Sequence, residues 1–124
     1  MICAMTALRL ISLPLHAALE MLIGFVTMAA PFVLGFDPGA AVISVVIGAL
    51  FVGLALSATA PEGAGRRPLS IAAHHDFDYG LAAGLLGAAV IVGLVGQPAA
   101  AAFFAVVALA QLTLNLTTRY SLRG

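Results

Sequence analysis

From Ala40 to Ala60 the chain runs without one charged side chain. About 20 apolar residues in a helix cross the roughly 30 Å of hydrocarbon in a bilayer, where each backbone polar group must find its partner inside the segment. Three further runs have the same character. Leu15 to Phe36 is interrupted only by Glu20, and about Tyr79 to Val95 and about Ala99 to Thr118 carry no charge. The sequence therefore predicts an all-α protein, a four-helix transmembrane bundle forming a single integral membrane domain over residues 1–124. Composition agrees: 63% of residues are hydrophobic and 8% charged, with a mean hydropathy of +1.17. A soluble domain carries roughly 25% charged residues, so charges this sparse cannot coat a water-facing surface.

Turn and cap chemistry divides the chain at matching places. Ser12 can cap the first helix, with Pro14 in its first turn where a missing N–H costs little. Pro31 should kink that helix or loosen its last turns. Asp37-Pro38-Gly39 is a turn in which Pro fixes φ and Gly supplies a positive φ, and Gly96-Gln97-Pro98 is a second short turn. Residues 61–69, with Glu62, Gly63, Gly65, Arg66 and Arg67, form the one polar linker. The apolar run after Arg9 continues into a full span, which reads as a helix rather than a cleaved leader. Cys3 is the only cysteine, so no intrachain disulfide forms.

Four spans put Arg9, Arg66, Arg67, Arg119 and Arg123 on one face, with both termini and the linker. By the positive-inside rule that face is cytoplasmic and the protein is a multi-pass resident of the cell membrane. Formal net charge is zero, so nothing argues for nucleic acid as a partner; the basic face points to membrane lipids instead.

Two stretches echo one another at an offset of 58 residues: Ser12, His16 and Glu20 return as Ser70, His74 and Asp78. The same offset pairs Gly35 with Gly93, Leu54 with Leu112 and Thr59 with Thr117. The sequence is read as two tandem helical-hairpin repeats, about 12–60 and about 70–118, related by an axis along the membrane normal. Gly80, Gly84 and Ala88 on the third helix, and Ala49, Gly53 and Ser57 on the second, form small-residue ridges that could pack within the chain, the default expectation, or between chains.

The repeat also places the candidate chemistry. His16 and Glu20 are four residues apart, as are His74 and Asp78, so each pair shares a helix face. Gln111 and Asn115 approach the same end on the fourth helix, and Ser57 on the second. Imidazole and carboxylate suit a divalent metal such as Zn, Fe or Mn, and bundles build such sites from facing helices. The same residues could carry protons, with Glu20 the deeper acid, or line a pocket for a small ligand. A purely structural reading stands beside these. Each His can bond the acid one turn on, acids near a helix N-terminus meet the macrodipole, and the set lies close enough to the interface to reach water. His75 and Asp76 read as interfacial, Tyr79 and Tyr120 as interfacial anchors.

The run Leu22-Ile23-Gly24-Phe25, with Ala29-Ala30-Pro31-Phe32-Val33-Leu34-Gly35-Phe36-Asp37, resembles the SPW-repeat family of prokaryotic membrane proteins. That family carries two-helix repeats with a Ser-Pro-Trp motif late in the first helix. Here Ala30-Pro31-Phe32 replaces it, and the second copy, Ala88-Ala89-Val90, lacks it. The resemblance implies a small bacterial-type integral membrane protein and carries over no functional residue.

No phosphate loop, nucleophile elbow, paired-cysteine or zinc-protease motif is present. The expectation is a non-enzymatic accessory or interaction module, with a homo-oligomer as one arrangement and no protein partner named by the sequence. The alternative is a proton- or metal-coupled small transporter, or a metal-binding membrane protein, using His16, Glu20, His74 and Asp78. No cofactor is predicted beyond a divalent metal in that alternative.

Overall fold

The computed structural model describes residues 10–58 and 70–120. The expected 61–69 linker, Arg9, Arg66, Arg67 and Arg123 lie outside the described residues. Among the described residues four helices follow one another: α1 Leu13–Leu34, α2 Pro38–Ala58, α3 Ile71–Leu94 and α4 Pro98–Thr117. All four are long and apolar enough to cross a membrane, and the chain is a multi-pass membrane protein. Two short turns, at residues 35–37 and 95–97, make α1–α2 and α3–α4 into hairpins. The start of α1, the end of α2, the start of α3 and the end of α4 therefore share one end of the bundle.

The local chemistry explains the ends. Ser12 and Ser70 cap α1 and α3, their hydroxyls accepting from the N–H of Leu15 at 3.4 Å and of Ala73 at 3.1 Å. Helix α3 therefore begins at Ile71, well before the expected Tyr79. The polar cluster His74–Asp78 masks this start in the sequence, yet His74 and Asp78 turn inward and are paired there. Among the described residues the left-handed ones are Gly35 (φ 69°) and Gly96 (φ 83°). Gly39, expected to supply a positive φ, instead lies in the first turn of α2, because Pro38 opens that helix.

Pro31 does not end α1, which runs on to Leu34. A proline there cannot donate to the carbonyl of Thr27. The Ser44 hydroxyl of α2 donates to that oxygen at 2.5 Å, so the neighbouring helix supplies the bond that Pro31 cannot. Thr27 turns its own hydroxyl to the carbonyl of Ile23 at 2.7 Å.

Packing runs from α1 to α2, α2 to α3, α3 to α4 and α4 back to α1, and is far more extensive within each hairpin than between them. Consequently α1 and α3 face one another across the centre. The close approach in the first hairpin is between Gly24 and Gly48. A Cβ on Gly48 would lie 2.7 Å from the Gly24 carbonyl oxygen and 2.8 Å from the Met28 nitrogen. The expected ridges play no such part. A Cβ on Gly53, Gly80 or Gly84 would meet nothing within 4 Å, and Ala49 with these glycines is exposed. From the middle of the bundle to the turns the interior is apolar, built on Phe51, Leu85 and Phe104, none with any exposed surface, with Ala40, Ala89, Val92 and Ala100. Phe36 closes this region edge-on against Phe103 and Phe104, and the Gln97 amide donates to the Asp37 carboxylate between the two turns.

Candidate metal centre

At the opposite end the interior is polar. His16 and Glu20 project from the first two turns of α1, His74 and Asp78 from the first two turns of α3, and the facing of these helices brings the four together. His16, Glu20 and Asp78 have no exposed surface, and His74 is 3% exposed. Each residue offers one ligand atom such that all four atoms lie within 4.8 Å of one another. The four do not reach bulk water, contrary to the interfacial reading.

The pairing also departs from expectation. Within a helix, His16 Nε2 is 3.8 Å from Glu20 and His74 Nε2 is 3.4 Å from Asp78. Across the bundle the contacts are shorter: His16 Nε2 to Asp78 Oδ2 is 3.0 Å, and His74 Nε2 to Glu20 Oε2 is 3.2 Å. Each imidazole thus answers chiefly to the carboxylate of the other hairpin, and its ring centroid lies 5.9 Å from that of the other imidazole.

The far side of each ring faces a hydroxyl whose proton is already used. Thr118 Oγ1 donates to the Leu114 carbonyl at 2.6 Å and lies 2.7 Å from His16 Nδ1. A hydroxyl has one proton, so towards His16 it accepts, and Nδ1 carries the hydrogen. Ser57 repeats the arrangement, donating to the Leu54 carbonyl at 2.6 Å and standing 3.4 Å from His74 Nδ1. Both Nε2 atoms therefore point at carboxylate oxygens from rings already committed to a hydroxyl. Fixing the remote ring nitrogen this way is the outer-shell arrangement usual for metal-binding histidine.

Gln111 and Asn115 line the same layer from α4. Gln111 Nε2 donates to Asn115 Oδ1 at 2.9 Å and reaches Glu20 Oε1 at 3.4 Å. Tyr120 follows the helix and turns its hydroxyl inward, donating to Asp78 Oδ2 at 2.7 Å and reaching Asn115 Oδ1 at 3.2 Å. Burial, and then the adjacent Asp78 carboxylate, push the Tyr120 phenol above its ordinary value, so it stays protonated and donating. Of the five buried side-chain atoms without a hydrogen bond among the described residues, four lie in this layer, His16 Nε2, Asp78 Oδ1, Gln111 Oε1 and Asn115 Nδ2, and the fifth is Arg119 Nε. Unsatisfied polar atoms are rare in a buried interior, and here they are concentrated in one place.

The structure thus gathers His16, Glu20, His74, Asp78, Gln111 and Asn115 into one layer. His75 and Asp76 stay apart, their side chains 43% and 83% exposed and in mutual contact at 3.3 Å. Thr118, and Tyr120 as a partner of Asp78, are additions to the sequence reading. Thr118 was within reach of it, since Gln111, Asn115 and Thr118 fall on one helical face at i, i+4 and i+7. No family model matches the chain, and neither a curated protein nor a solved structure does so.

Proposed function

We propose that this membrane protein binds one divalent transition-metal ion through His16, Glu20, His74 and Asp78, with the chain ends on the cytoplasmic side of the cell membrane. One observation carries the reading: four buried ligand atoms within 4.8 Å, two of them on imidazoles wedged between acceptors. Each neutral imidazole has one proton for two acceptors. The quartet is therefore short of two positive charges, and one divalent cation supplies both. Two imidazoles, two carboxylates and a divalent ion sum to zero, which matters where an uncompensated charge is costly. Mixed nitrogen and oxygen donors favour zinc, iron or manganese over the all-oxygen shells of calcium and magnesium. No catalytic step is assigned, so the reading keeps the non-enzymatic character expected from the sequence. The 58-residue offset supports an origin of the site by duplication of one hairpin.

The metal content of the detergent-purified protein, beside that of His16→Ala/His74→Ala, tests the proposal. Stoichiometric metal in the parent and its loss in the double variant is the expected result; metal-free parent protein refutes it. The cross-bundle contacts of 3.0 and 3.2 Å favour a second reading, in which two protons take the place of the ion. Metal-free protein whose proton uptake in liposomes disappears on Glu20→Gln would establish that alternative.

A further inference from the structure

We propose that the ion reaches and leaves this site at one end only, the end bearing the chain termini, through a mouth closed by Tyr120 and a two-segment clasp. The inference rests on the metal reading above. With His16, Glu20 and Asp78 wholly buried and His74 nearly so, the ligands are closed off from solvent among the described residues. Exchange requires part of the molecule to move, and the two directions out of the site differ in what must give way.

Towards the turns lies the apolar interior. An ion leaving that way would have to part Phe51, Leu85 and Phe104, each without exposed surface, and then Phe36 from Phe103 and Phe104. The polar side chains buried along that route are Ser44 and Thr27, whose hydroxyls each already donate to a carbonyl of α1.

Towards the chain ends lies a clasp outside the helices. The Ile11 N–H donates to the Thr117 carbonyl at 2.9 Å, and the Arg119 N–H donates to the Ile11 carbonyl at 2.8 Å. This short parallel pairing ties the segment before α1 to the segment after α4. Tyr120 continues from it over the site, its ring 5.4 Å from that of His16 and 4.6 Å from that of His75. Opening this side breaks two main-chain bonds and the Tyr120 hydroxyl's bonds to Asp78 and Asn115, lifts one half-buried ring, and leaves the helices intact. Segments so lightly held open locally far more often than a packed core does. The phenol and the Asn115 amide also give a departing ion successive oxygen contacts.

Stopped-flow mixing with Co²⁺ alone, followed by the absorption of the bound ion in detergent micelles, tests this. Tyr120→Ala should raise both association and dissociation rates about tenfold or more, with the dissociation constant changed much less, because the rate follows the population of the open state. Ile11→Pro removes the donor to Thr117 without touching the site, and should accelerate exchange in the same way. Tyr120→Phe keeps the ring, loses the bond to Asp78, and should accelerate less than Tyr120→Ala. Phe104→Ala should leave the rates unchanged. Unchanged rates in both Tyr120→Ala and Ile11→Pro, or faster exchange in Phe104→Ala, overturn the one-ended route. Equilibrium titration separates the two proposals: a parent protein that binds no Co²⁺ overturns the metal reading itself.

Discussion

The two halves of this bundle share the same four helices, yet their interiors obey different rules. The half near the turns is held by shape, with Phe51, Leu85 and Phe104 filling it. The half near the chain ends is held by a hydrogen-bond and charge count that runs through His16, Glu20, His74, Asp78, Ser57 and Thr118. In lipid the first kind of interior tolerates any side chains of suitable volume. The second tolerates only a complete set, since each missing partner strands a buried polar group. A protein stabilised for its own sake could have used apolar residues throughout. That one half does otherwise makes the polar half the place to look for work.

The largest test removes one member of the polar set. Glu20→Ala or Asp78→Ala should lower stability by about 3–5 kcal/mol, because an imidazole is left unpaired in the interior. Replacing all four by leucine should recover most of that loss while eliminating metal binding. Thermal unfolding in micelles reads both; a quadruple variant less stable than the singles would mean that the quartet is structural cement. Phe104→Ala should cost a similar amount, about 3–5 kcal/mol, through the cavity it opens, yet leave metal affinity at the parent value in an equilibrium titration.

Smaller effects sharpen the same contrast. Thr118→Val removes the acceptor for His16 Nδ1 and should weaken metal binding about 10- to 100-fold. Thr118→Ser should restore it, and Ser57→Ala should cost less, since its contact with His74 is longer, 3.4 Å against 2.7 Å. Gly48→Ala pushes a Cβ against backbone atoms of α1 and should destabilise by about 1–3 kcal/mol. Gly80→Ala meets open space and should stay within about 0.5 kcal/mol. The smallest effect concerns Tyr120. Its raised pKa means that the folded state holds the phenolic proton more tightly than the unfolded chain does, whose tyrosine titrates near 10.0. Stability from this group is therefore full below that pH and falls as pH rises above it. Alkaline melting curves should show the decline in the parent and a shallower one in Tyr120→Phe.

Much of the fold was legible because lipid imposes a simple rule: four runs nearly free of charge, separated by Pro and Gly, leave little choice. The start of α3 was not legible, because His74, His75, Asp76 and Asp78 look like a polar approach to the membrane until His16 and Glu20 are set opposite two of them. The candidate residues themselves could be read from spacing, but their partners could not. Residues four apart suggest bonding within a helix, whereas the shorter contacts cross between hairpins, a tertiary fact. The intrachain reading of the small-residue ridges failed for a related reason. Gly80 and Gly84 have the same spacing whether a helix or lipid covers them, and the close approach falls instead on Gly24 and Gly48.

The most direct test of the central claim is X-ray absorption at the edge of zinc bound to the purified parent protein. The account predicts a four-coordinate ion with two imidazole nitrogens and two carboxylate oxygens at about 2.0–2.2 Å. A six-coordinate shell of oxygen alone, or a spectrum unchanged in His16→Ala/His74→Ala, would contradict it.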